Sequence, residues 1–336
     1  MNKKIVFFQV TIILFFANFS FAQNPFEDES ISSPKTAKET KITPNSTTTN
    51  DSQVAISPPE NQTPTEISTA AFPKTEGKGV DLTKLNINAI SKANPKIHSW
   101  AIMDVQTGKY VGMNFSRKPR SVASTIKLAV VNAMLREVKA GRVNLDEVLR
   151  VDGTNDQTTD GEKIGQKYTV REAIYQTLVR SSNTCPNLLA KKLGGLSKLN
   201  KILSDMGYST TKYSYLSAVR QTSFERRNGS TAFDMAKVAK DFYNTYRNVQ
   251  GTGPKTAWAG FSKPHDLIKA SGHETIGGKI GSNSLCATNT GLVKVNGKTY
   301  SVVVFSEENG LAGHYYADRY LNKATTDIAN AVAKLK

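Results

Sequence analysis

The strand-forming residues of this chain sit at two places far apart in sequence, and that separation limits the folds open to it. "HSWAIMDVQ" and "KYVGMNF", joined at Thr107-Gly108, read as one hairpin. "NTGLVKV" and "KTYSVVVFSE", joined at Asn296-Gly297, read as a second. Between them, from Ser124 to about residue 265, the periodicity is helical. Apolar residues recur at Val131, Met134, Leu135 and Val138, followed by "TVREAIYQTLV", "NLLAKKLGG" and "STAFDMAKVAKDFYNTY", the last with Ser230 placed to cap it. "DLTKLNINAISKAN" (81–94) reads as an opening helix, and a closing one carries Leu321, Ile328, Val332 and Leu335 on one stripe. The fold expected is therefore α/β (α+β): an antiparallel sheet flanked by terminal helices, with an all-helical subdomain inserted at about 120–265. A cleft between the two parts is the natural site.

The folded part is expected to occupy residues 85–336. Residues 23–84 are rich in Ser, Thr, Pro and Asn, as in "ITPNSTTTNDSQVAISPPENQTPTE", and carry almost no aromatic residue. Such a stretch cannot bury enough apolar surface to offset its ordering entropy and is expected to be a disordered tether. Before it come two lysines, an apolar run from Ile5 to Phe16 and small residues ending at Ala22. That order is the one of a secretory signal (1–22), and the run is shorter than the roughly 20 residues needed to span a bilayer. Export to the periplasm or beyond is the expected localisation.

Charge narrows the partners. The leader adds two positive charges and the polar stretch removes three, so with a total of +16 about +17 falls on residues 85–336. An exported basic surface suits an acidic cell-wall surface, whereas nucleic acid is disfavoured by export and by the lack of an aromatic-basic motif. Cys185 and Cys286 could pair in an oxidising compartment or stay as buried thiols. No histidine pair has ligand spacing, and "HETIG" at 273 lacks the second histidine of a zinc-protease helix, so neither metal nor cofactor is expected.

Ser124 and Lys127, in "ASTIKLAVVNAM", stand one helical turn apart on one face. A serine hydroxyl needs a base to become a nucleophile, and a lysine can serve when burial or a nearby cation favours its neutral form. Ser-x-x-Lys also occurs at Ser32 and at Ser209, but only Ser124 opens a helix, whose N-terminal N–H groups favour developing negative charge. Ser181-Ser182-Asn183 precedes another helix, and Lys279-Ile280-Gly281 stands at the entrance to the C-terminal strands.

The ordered set resembles the penicillin-recognising serine enzymes, whose motifs are S-x-x-K, S-D-N and K-T-G. "ASTIKLAVVNAMLREVKAGRVNLDEVL", "YTVREAIYQTLVRSSNT", "NLLAKKLGG", "LSDMGY" and "NGSTAFDMAKV" resemble class A β-lactamase segments in family order, over roughly residues 95–310. The resemblance implies that Ser124 is acylated, with Lys127 as its base or proton relay. Ser181 would pass a proton to the leaving nitrogen, and Asn183 would hold the substrate's side-chain amide. Lys279 would hold Ser181 and steer an anionic substrate. Backbone N–H groups of Ser124 and Ser282, beside Gly281, would form the oxyanion hole.

Four departures separate this chain from the pattern. The stretch that should carry the deacylating glutamate in E-x-x-L-N reads "YSTTKYSYLSAVRQTSFERR", whose only acid, Glu225, is misplaced. Ile280 replaces the hydroxyl residue of K-T-G. No arginine stands on the following strand, "CATNTG", where Thr288 and Lys294 are the nearest substitutes and neither is assigned the role. Ser182 replaces the acid of S-D-N, a change of local packing or hydrogen bonding. Three readings follow: a β-lactamase with slow deacylation, a penicillin-binding D,D-peptidase or related wall hydrolase, and a catalytically silent wall-binding protein. The substrate expected is a β-lactam or an acyl-D-Ala-D-Ala-like peptide, and the protein is expected to act as a monomer.

Overall fold

The computed structural model describes residues 80–116, 118–153, 161–214, 228–247, 261–262, 269–283, 286–306 and 314–335. The signal expected at 1–22 and the tether up to residue 79 lie outside these residues, as do residues 215–227 of the 208–227 stretch in which E-x-x-L-N is missing.

In chain order the strands are β1 (Ser99–Asp104), β2 (Tyr110–Met113), β3 (Arg120–Ser121), β4 (Val148–Arg150), β5 (Lys167–Thr169), β6 (Gly229–Ser230), β7 (Glu274–Asn283), β8 (Cys286–Val295) and β9 (Lys298–Ser306). The helices are α1 (Ile87–Ala93), α2 (Ile126–Lys139), α3 (Val170–Val179), α4 (Thr184–Lys192), α5 (Gly195–Asp205), α6 (Ala232–Tyr246) and α7 (His314–Ala333).

Both chain ends build one antiparallel sheet, ordered β2-β1-β9-β8-β7, in which Ile102 of β1 lies opposite Val302 of β9. The β8–β9 turn has Asn296 at φ 50° and Gly297 at φ 78°, the left-handed pair that a two-residue hairpin loop requires. "SVVVF" is unbroken in hydrophobicity because both faces of the sheet are covered. Trp100, Ile102, Val302 and Val304 join Ile87 and Ile90 of α1 and Leu321, Ile328 and Val332 of α7 in one core. Ala101, Met103, Val303 and Phe305 join Leu128 and Val131 of α2 and Met235 and Phe242 of α6 in the other. Alternate residues of each strand thus serve alternate layers.

Three details differ from the expectations. The opening helix is split into a 3-10 turn, Leu82–Lys84, and α1, because the Asn86 side chain accepts from Ala89 N at 2.9 Å and starts a new helix there. Thr231, not Ser230, caps α6, accepting from Asp234 N at 3.3 Å; Ser230 belongs to β6 and bonds Thr211 Oγ1 at 2.8 Å. The insertion is not all-helical, since β3 pairs with β6 and β4 with β5. These pairs are two or three residues long, too short for a period-2 pattern to appear. Cys185 and Cys286 are buried free thiols.

Because Ile328 is fully buried between α7 and the sheet, Ile328→Ala is expected to destabilise the fold by about 2–5 kcal/mol. Urea denaturation followed by circular dichroism measures this, with an unchanged denaturant slope marking a loss of packing alone.

Candidate active site

Ser124 lies in a 3-10 turn, Ala123–Thr125, that feeds directly into α2. The turn is anchored on one carbonyl. Val122 O accepts from Thr125 N at 3.1 Å, from Thr125 Oγ1 at 2.6 Å and from Thr288 Oγ1 of β8 at 2.9 Å. Between that anchor and Ser124, Ala123 takes φ 42°, a left-handed conformation costing of the order of 1–3 kcal/mol for a residue with a side chain.

α2 is apolar almost all round and runs through the middle of the helical block, so Lys127 in its first turn is only 1% exposed. The Lys127 amine donates to Ser181 Oγ at 3.2 Å and to Asn183 Oδ1 at 2.9 Å, and also to the Ser181 carbonyl. Those acceptors come from the link between two helices. α3 opens with a Thr169–Glu172 capping box, ends at Val179 and is C-capped by Arg180, and α4 starts at Thr184. Ser181, at φ 55°, reverses the chain in that short link and turns its polar atoms toward Lys127. Ser182 faces elsewhere: its Oγ accepts from Cys185 N at 3.1 Å and donates to Glu162 Oε1 at 2.9 Å.

The third motif lies on β7, the edge of the sheet. Gly281 pairs with Thr288, whose Oγ1 is 3.3 Å from Gly281 O, so that carbonyl points into the sheet. Backbone polarity alternates along a strand, so Ile280 O and Ser282 N–H point the other way, out of the open edge. Lys279, 2% exposed, accordingly bonds Ile280 O at 3.1 Å on that edge. The strand runs hard against the serine turn: a Cβ on Gly281 would lie 2.4 Å from Ser124 N and 2.9 Å from Thr125 N. Only glycine allows the approach that sets Ser124 N beside the Gly281–Ser282 peptide.

The structure thus gathers Lys127, Ser181 and Asn183 by hydrogen bonds and Ser124 and Gly281 by close backbone approach, with Lys279 and Ser282 beside Gly281 on the same strand. Thr288 and Lys294 do not replace the missing arginine. Thr288 is fully buried behind the serine turn, and Lys294 pairs with Glu274 at 3.2 Å on the surface. Glu162 was not legible as a partner of the site, because it sits in a polar stretch outside any periodic element. Chemically, the arrangement offers a hydroxyl at a helix start, a buried amine bonded to a second hydroxyl, and two backbone donors across a narrow seam.

The model of the beta-lactamase enzyme family matches residues 83–335. The chain belongs to that family. Among curated relatives, the β-lactamases PSE-4 and CARB-3 of Pseudomonas aeruginosa are each 24% identical over 115 residues, which is 33% of this chain and 40% of theirs. The match therefore spans less than half the length of those relatives. Among solved structures, the TLA-3 extended-spectrum β-lactamase superposes with a TM-score of 0.62 at 16% identity, covering 74% of this chain and 98% of its own. PBP-A gives a TM-score of 0.60 at 18% identity, covering 74% and 96%. At such identities these structures share the fold, and the family's site must be judged on the geometry above.

That geometry makes the Gly281 seam sensitive to a single carbon. Gly281→Ala is expected to force β7 and the Ser124 turn apart and to cost about 1–3 kcal/mol, read as a lower urea midpoint.

Proposed function

We propose that the protein is an exported serine hydrolase that forms an acyl-enzyme with β-lactams at Ser124 and releases the acyl group slowly. The observation that carries this reading is the buried Lys127 amine, bonded to Ser181 Oγ and Asn183 Oδ1 one helical turn from Ser124. In the first step Ser124 Oγ attacks the lactam carbonyl carbon, and the ring C–N bond breaks as the tetrahedral oxyanion collapses. Lys127 takes the serine proton as it passes one of its own along its bond to Ser181 Oγ, and Ser181 delivers its proton to the departing nitrogen, so Ser181 and Lys127 end as they began and the amine carries the new proton and the electron pair. N–H groups of Ser124 and Ser282 hold the oxyanion meanwhile; losing one such donor typically costs ~3 kcal/mol of barrier.

Slow release is supported by the sequence between Met206 and Asn228, whose only acid is the misplaced Glu225. Hydrolysis of the ester needs a positioned base to activate water, and without one the adduct persists. The same observation favours a second reading, a penicillin-binding D,D-peptidase, in which Ser124 attacks the peptide bond of an acyl-D-Ala-D-Ala-like substrate. A variant of the similar protein PBP-A is described as an acyl-enzyme complex with penicillin G. The apolar run near the N-terminus supports export, and the positive charge of the folded part suits a wall surface.

Intact-mass spectrometry with penicillin G tests the proposal. The protein is expected to gain the whole mass of the lactam, because ring opening loses no fragment, and to keep it for minutes or longer. Ser124→Ala is expected to gain nothing. Rapid turnover without a lasting adduct overturns slow deacylation, and release of D-alanine from a wall peptide selects the peptidase. No adduct and no peptide cleavage would leave a wall-binding protein.

A further inference from the structure

We propose that Thr288 is the positioning residue of the oxyanion hole, one β8 hydroxyl that fixes both of its backbone donors. The inference deepens the reading of Ser124 as nucleophile and rests on it. Thr288 is fully buried and its Oγ1 sits among three oxygens: Val122 O at 2.9 Å, Gly281 O at 3.3 Å and Thr125 Oγ1 at 3.3 Å. The two carbonyls belong to different halves of the site.

Val122 O is the anchor that closes the serine turn through Thr125 N, so its direction sets the plane of the peptides leading to Ser124 N–H. Gly281 O belongs to the same peptide as Ser282 N–H. A hydrogen bond to that carbonyl holds the plane with its N–H aimed out of the strand edge and makes the N–H a stronger donor, since bonds in series polarise one another. Thr125 Oγ1 already donates to Val122 O at 2.6 Å, which leaves the single Thr288 proton to be shared between the two carbonyls. Thr288 therefore acts as a staple across the seam that the missing Gly281 side chain opens. Without it, the close approach at Gly281 and the β7–β8 pairing would remain, but no side-chain hydrogen bond of Thr288 would tie the serine turn to the Gly281 carbonyl.

The threonine also explains how the site manages with Ala123 at φ 42° next to the nucleophile. A turn containing that conformation stays in place only when its neighbours over-determine it, and Val122 O has three donors. In this chain the β8 position that faces Gly281 is therefore spent on fixing backbone rather than on reaching substrate.

The test compares Thr288→Val, which keeps the shape and removes the hydroxyl, with Thr288→Ser, which keeps the hydroxyl and removes a methyl group. Three readouts are taken on the full chain: the rate of acylation at saturating penicillin G, the ester carbonyl stretch of the adduct by infrared difference spectroscopy, and the amide proton shifts of Ser124 and Ser282 by NMR. Thr288→Val is expected to acylate roughly 10-fold or more slowly, against the 10²–10³ typical of deleting an oxyanion donor outright. Its ester stretch should move to higher frequency and its two amide protons upfield, while Thr288→Ser should match the parent in all three. A Thr288→Val protein that equals the parent in rate, stretch and amide shifts overturns the proposal. So does a Thr288→Ser protein impaired in all three, which keeps the test decisive should Thr288→Val fail to fold. If the parent itself takes up no penicillin, the reading of Ser124 falls, and the amide shifts still decide whether Thr288 orients the two donors.

Discussion

The site depends on one close approach, that of the sheet edge to the turn carrying Ser124. The sheet is made from two distant stretches of the chain and Ser124 belongs to the helical block, so nothing in local sequence brings them together. They meet because Gly281 has no side chain: a Cβ there would lie 2.4 Å from Ser124 N. The arrangement of the strand edge at the site follows from that contact. It sets the outward-facing polar groups of β7 beside the start of α2, and it places Lys279 on the same strand edge.

Much of this was legible in the sequence, and the reasons differ by residue. The two hairpins were readable because Thr107-Gly108 and Asn296-Gly297 are turn pairs with strands on both sides. Ser124 and Lys127 were readable because helical spacing puts i and i+3 on one face whatever the tertiary context. The cap of α6 was displaced by one residue, since Ser230 and Thr231 are chemically alike and only strand pairing assigns Ser230 to β6. The roles of Thr288 and Glu162 were not legible. Each acts through a partner far along the chain, Val122 in one case and Ser182 in the other, and no periodicity links such pairs.

Ser182 illustrates how a motif can change while the structural demand behind it persists. The middle position of the second motif must satisfy the N-terminal N–H groups of α4, and Ser182 Oγ does so by accepting from Cys185 N. A serine has no charge to complement the positive end of a helix. Glu162 supplies it at one remove, accepting from Ser182 Oγ at 2.9 Å. In this chain the carboxylate sits twenty positions upstream of Ser182, and the serine relays it. Because Ser181 and Asn183 flank that serine and both bond Lys127, the relay also steadies the groups around the buried amine.

Acylation and deacylation then separate on physical grounds. In the proposed reading, attack by Ser124 calls on groups that the fold already holds: the serine turn at Val122 O, the Lys127 amine at Ser181 and Asn183, and the strand edge beside Thr288. Hydrolysis calls on something else, a base aimed at a water on the ester, which none of those bonds supplies. On the proposed reading a chain keeps the first set while its E-x-x-L-N segment drifts, because the bonds among Val122, Thr125, Thr288, Lys127, Ser181 and Asn183 join residues outside that segment. If Ser124 is acylated as proposed, the lifetime of the ester becomes the property on which lactamase and peptidase chemistry diverge.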